Sequence, residues 1–117
     1  MKKLIYVFFI FCIGNVFSQK ITYKGKIGKF PIIMELIQDG NLAGDYFYLS
    51  QNKKINLYTD DSVYTKGKII LYEKVNGVKT GFFVFQVLNL ESDSLKGKWF
   101  SMDGSKTYVV TLYRINK

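Results

Sequence analysis

From residue 20 onward, apolar and polar side chains alternate with a period of two, and the runs are broken every 8 to 12 residues or so by turn-forming residues, the spacing of an all-β sandwich or barrel. The alternation predicts eight strands. The first covers Lys20 to Lys24. The second, Lys29 to Gln38, sets Phe30, Ile32, Met34 and Leu36 on one face. Asp39-Gly40-Asn41 turns the chain into a third strand, Gly44 to Leu49, where Tyr46 and Tyr48 alternate with Phe47 and Leu49. Lys54 to Thr59 and Val63 to Lys74 follow, the latter with Ile69, Leu71 and Glu73 on one side. Asn76-Gly77 is the clearest turn in the chain, because both residues tolerate the positive φ of a two-residue hairpin. It should join Val63–Lys74 to Val78–Leu88. Leu95 to Met102 and Lys106 to Ile115 complete the set, joined at Asp103-Gly104.

No segment carries a helical period, and β-branched and aromatic residues dominate. Short turns between consecutive strands imply an antiparallel meander, since crossover helices have no room. Closure into a barrel, complete or nearly so, removes exposed edges and is the expected end state; a two-sheet β-sandwich is the alternative. Lys-Gly-Lys occurs three times, at Lys24, Lys66 and Lys96, beside apolar strands. A glycine within a strand marks a bulge or bend, and its neighbours point outward when it points in. That geometry explains the tripeptides more simply than a single basic stripe does.

The first 18 residues follow another pattern. Lys2 and Lys3 precede an apolar run from Leu4 to Ile13, and Val16 and Ser18 fit the small-residue positions before a cleavage site. This is the layout of a secretory signal peptide, cut between Ser18 and Gln19. The run is shorter than the 20 or so residues a membrane-spanning helix needs, so no transmembrane segment is expected after cleavage. The expected domain is 19–117, exported to the periplasm or the exterior. Cys12, the only cysteine, would leave with the leader, and no disulfide could staple the fold. The core must suffice alone. With 48% hydrophobic and 17% aromatic residues, it has the material.

Seventeen basic residues against nine acidic make the chain basic, which attracts anionic partners in general. The lysines are scattered and not massed in one run, which favours solvated strand edges and turns. No specific nucleic-acid partner is implied. The chain has no histidine, and this removes the usual zinc sites and the Ser-His-Asp and Cys-His arrangements. Asp39, Asp60, Asp61, Asp93 and Asp103 fall in turns, where their side chains bond the backbone. Asp60 and Asp61 lack the ligand series of a calcium loop. No metal, cofactor or catalytic residue is assigned.

Two charges break the alternation. Glu73 follows Ile69 and Leu71 onto the core face, and Arg114, the only arginine, follows Val110 and Leu112. A buried charge is tolerated mainly when paired, and a bidentate Glu73–Arg114 contact would satisfy both groups. Tyr46, Tyr48 and Trp99 offer flat apolar faces with polar tips. With Lys66, Lys68, Lys96 and Lys98 they form the candidate binding set.

The series Gly25-Lys26-Ile27-Gly28, Pro31-Ile32 with Met34 and Leu36, Gly44-Asp45-Tyr46-Phe47-Tyr48, Ile69, Leu71 and Glu73, Gly81-Phe82-Phe83, then Leu95, Gly97 and Trp99 resembles an uncharacterised family of small exported bacterial β-proteins. More distantly, the meander is similar to calycin-like ligand-binding barrels and to small periplasmic lysozyme inhibitors. The shared positions are glycines and core residues, so the resemblance implies a fold and carries over no functional residue. The leading expectation is a non-enzymatic binding module for a protein or glycan of the envelope or exterior. A hydrolase of envelope polymers using Glu73 as its acid is the rival, and a small barrel carrying an apolar ligand is the third reading.

Overall fold

A computed structural model describes residues 19–39, 41–59, 68–86 and 93–116. The proposed leader, Cys12, the Asp60-Asp61 pair and Lys66 lie outside the described residues. Eight strands follow one another: β1 (Gln19–Ile27), β2 (Phe30–Asp39), β3 (Asn41–Tyr48), β4 (Ile55–Tyr58), β5 (Lys68–Val75), β6 (Val78–Gln86), β7 (Ser94–Ser101) and β8 (Thr107–Arg114). Each pairs antiparallel with the next, and β8 pairs with β1, from Tyr23 opposite Arg114 to Ile27 opposite Val110. The sheet is a closed barrel in meander order. Closure decides against the two-sheet sandwich.

The period-two pattern maps directly onto inside and outside. Ile21 and Tyr23 of β1, Met34 and Leu36 of β2, Ile69 and Leu71 of β5, Phe83 and Phe85 of β6, and Val110 and Leu112 of β8 are fully buried. Their intervening neighbours face outward, as the pleat requires. The interior is apolar, whereas the outward positions mix lysines with apolar and aromatic side chains. No helix among the described residues is long and apolar enough to cross a membrane.

Asn76 and Gly77 adopt φ of 54° and 79°, the left-handed pair that lets strand twist continue through a two-residue hairpin. β1 runs on past Lys24 to Ile27, further than alternation alone suggests. Gly25 faces inward at the point where β8 crosses closely, and a Cβ there would overlap the Thr111 carbonyl oxygen. Gly97 meets the Val84 carbonyl in the same way. The glycines of two Lys-Gly-Lys copies are thus sites of close strand approach, as small barrels need where strands bend. β3 also starts earlier than expected, at Asn41, because Leu42 is buried.

All the strands run between two rims. The Gly28-Lys29 and Asn76-Gly77 turns and residues 49–54 and 102–106 form one rim, called here the upper. The ends of β2, β4, β6 and β8 lie at the other.

Candidate functional site

Glu73 is the one buried charged residue of the described core, 5% exposed. It sits near the upper end of β5 with three side-chain donors around it. Tyr46 of β3 donates its hydroxyl to Oε1 at 2.5 Å, and Trp99 of β7 donates its indole Nε1–H to the same oxygen at 2.9 Å. Thr80 of β6 donates its hydroxyl to Oε2 at 2.5 Å. Charge-assisted bonds of this kind are roughly twice as strong as neutral ones.

Each donor has a structural cause. Across β5–β6 the register shifts between Glu73 and Lys74, so that Glu73 faces Gly81 while Lys74 faces Lys79. Thr80 is the extra residue, and a bulge of this sort re-aims a side chain. Gly81 then leaves room for the Trp99 ring, whose nearest atom would stand only 2.6 Å from a Cβ at that position. Tyr46 is 1% exposed and packs edge-on to Phe83, ring centroids 5.2 Å apart. Burial first, and the Glu73 charge second, push its phenol well above the usual value near 10.

The Glu73–Arg114 ion pair expected from face counting does not form. Both side chains follow the inward face, but at opposite ends: Glu73 lies beneath the upper rim, whereas Arg114 ends β8 at the lower one. There its backbone N–H bonds the Asp93 carbonyl and its Nε donates to the Asn116 carbonyl at 2.5 Å. Counting by twos gives the face and leaves the height along the barrel undetermined, because tilted strands shift register around the circumference.

Above the Glu73 cluster the upper rim opens into a pocket of about 320 Å³ lined by Ile27, Phe30, Tyr48, Ser50, Gln51, Trp99, Lys106 and Tyr108. The Trp99 and Tyr108 rings stack, centroids 5.9 Å apart and 28° between planes. Tyr48 meets Phe30 edge-on at 6.3 Å and Tyr46 at 5.7 Å. Its half-buried phenol is also raised, chiefly by burial. The mouth is therefore an aromatic floor with polar groups on its rim. Its Trp99 is oriented from below by a carboxylate.

The candidate binding residues separate into three places. Tyr48 and Trp99 line the mouth, Tyr46 is core, and Lys68, Lys96 and Lys98 line a groove on the outer wall. Phe30, Ser50, Gln51, Thr80 and Lys106 were not singled out by the sequence pattern. Tyr58 and Tyr72 lie on the outer wall in a row of rings with Phe82 and Phe100, with Lys79 4.1 Å from the Tyr72 centroid. These serve sheet packing. Among the described residues, the buried side chains form one cluster inside the barrel. No group of three or more potential metal ligands occurs among the described residues.

No protein-family model, curated protein or solved structure matches the chain. The resemblance to small exported β-proteins rests on the sequence pattern alone.

Proposed function

We propose that the chain is an exported, non-enzymatic binding module whose upper mouth takes a glycan of the cell envelope or exterior. The observation that carries this reading is the stacked Trp99–Tyr108 pair at the floor of an open pocket. A flat aromatic surface suits the apolar face of a sugar ring, and Ser50, Gln51, the Tyr48 hydroxyl and the Lys106 ammonium supply hydrogen-bonding groups around it. The pocket's volume lies at the small end of the range for small-molecule sites, room for one or two sugar units and not a long polymer.

Glu73 supports binding over hydrolysis. Its two oxygens already accept three hydrogen bonds from the protein, and one of these orients Trp99. Glycoside hydrolysis also calls for a second carboxylate some 5 to 9.5 Å away, and among the described residues the mouth lining has none.

The test is titration of the purified protein with soluble oligosaccharides from peptidoglycan and from extracellular polysaccharide, read by the fluorescence of the single tryptophan. Saturable change that is weakened tenfold or more by Tyr108→Ala supports the mouth as the site. Appearance of cleaved products, lost in Glu73→Gln, would instead establish the hydrolase. An unchanged signal across the panel would remove the glycan reading.

A further inference from the structure

Barrel closure brings the first and third Lys-Gly-Lys copies side by side. Lys26 of β1 and Lys96 of β7 both stand opposite Thr111, one on each flank of β8, two strand spacings or about 10 Å apart. Lys24 lies against Tyr113, and Lys98 against Val109. Lys68, from the second copy, shares a groove of about 640 Å³ with Lys96 and Lys98. All five lysines are exposed, and none is ion-paired among the described residues. The outward positions of β5 to β8 and of β1 carry no Asp or Glu; Glu35 and Asp45 lie on the outer side of β2 and β3.

Apolar side chains are set between these charges. Val109 is 62% exposed, and Tyr113 and Ile115 are each 56% exposed. They line a second groove of about 600 Å³ with Lys24 and Lys26. Scattered single apolar residues need no explanation, but a contiguous exposed set marks a contact surface.

We propose that this flank, the outer wall of β7, β8 and β1 with Lys68 at its margin, docks on an anionic lipid bilayer. The partner is fixed by the mixture of side chains. A soluble polyanion would pair with the ammonium groups and leave Val109 and Ile115 in water. A bilayer surface accommodates both kinds: phosphate head groups meet the lysines, while the aliphatic side chains enter the acyl boundary and the Tyr113 ring lies at the interface. Lysine suits this role because its long stem covers apolar surface while its charge stays wet. The proposal is independent of the glycan reading, since the flank lies on the barrel wall and the mouth at its end.

Co-sedimentation with vesicles tests it, using protein as recovered from expressing cells with its N-terminus read by mass. Vesicles of phosphatidylcholine mixed with phosphatidylglycerol should bind the protein, and phosphatidylcholine alone should bind it far less. Each lysine removed should weaken the anionic binding roughly five-fold, so Lys26→Gln with Lys96→Gln should lose on the order of 25-fold. Val109→Ser with Ile115→Ser should also lose roughly five-fold or more. Lys53→Gln with Lys54→Gln, which removes the same charge from the turn after β3, should lose much less. Equal binding to both vesicle types would overturn the proposal. So would an equal loss in the control pair, which would reduce the effect to net charge. Binding to heparin as tight as to vesicles, unaffected by the two serine substitutions, would replace the bilayer with a soluble polyanion.

Discussion

Trp99 and Glu73 meet across the barrel interior just below the upper rim, with the indole Nε1–H 2.9 Å from Oε1, so the ring that floors the mouth is held by a charge in the core. Removing that charge while keeping the shape tests the network. Glu73→Gln puts an amide among three donors, and at least one of them loses its acceptor. A buried hydrogen bond to a charged group contributes about 1.5 to 3 kcal/mol, so a loss of about 2 to 4 kcal/mol in urea denaturation is expected. Arg114→Met should cost under about 1 kcal/mol, as for an exposed charge at a strand end. The two losses should add, because the residues share no partner. Glu73→Gln combined with Tyr46→Phe should fall well short of additive.

Gly81 and Gly97 should be far less tolerant than their size suggests. A methyl group at Gly97 would overlap the Val84 carbonyl, which belongs to the backbone and cannot swing aside. At Gly81 it would meet the Trp99 ring. Gly97→Ala should therefore destabilise by about 2 kcal/mol or more, within the range for overpacked interiors. Gly81→Ala should shift the tryptophan emission as the ring is displaced from Glu73. An unshifted spectrum would show that the ring keeps its place beside Glu73 and that the backbone at residue 81 yields instead.

The Tyr46 phenol gives the fold an alkaline limit. In the unfolded chain it ionises near 10, whereas in the barrel burial and the neighbouring Glu73 charge keep its proton on. Above pH 10 the folded state thus binds more protons than the unfolded one. The contribution is complete below that pH and declines as pH rises, by up to about 1.4 kcal/mol per pH unit for this group. Denaturation midpoints taken from about pH 9 to about pH 11 should fall accordingly. Tyr46→Phe should start less stable and fall less steeply.

Asp45 faces Glu35 across β2–β3, and its Oδ1 is buried with no hydrogen-bond partner among the described residues. Lys20 pairs with Glu35 at 3.1 Å, leaving the second carboxylate uncompensated there. Like charges directly opposite each other destabilise a sheet. Asp45→Asn should raise stability by about 0.5 to 1 kcal/mol, seen as a higher thermal midpoint.

Strand number, meander order and the inward faces of β2, β5 and β8 were legible in the sequence because they depend on local alternation and turn residues. The turn of the Asn76-Gly77 hairpin was legible, but counting outward from its two-residue loop would set Thr80 opposite Glu73 and misses the bulge that puts Gly81 there. What local reading misses is the meeting of Tyr46, Glu73 and Trp99, which come from β3, β5 and β7. Their common height follows from tilt and register around the closed sheet, quantities no single strand encodes. The same cause explains the error over Arg114, which shares a face with Glu73 but not an end. It also explains why lysines scattered along the chain gather on one flank: the closing β8–β1 pair sets Lys26 in line with Lys96.

The most direct test of the mouth as a binding site uses the indole N–H of Trp99, the one tryptophan in the chain. In a nitrogen-labelled sample it gives a single side-chain resonance, which should exchange slowly because the proton is bonded to Glu73. Titration with the soluble envelope oligosaccharides should move that resonance along a saturating curve, together with backbone signals of Phe30, Tyr48 and Tyr108. Saturable shifts confined to other parts of the barrel, with the Trp99 resonance fixed, would contradict the account.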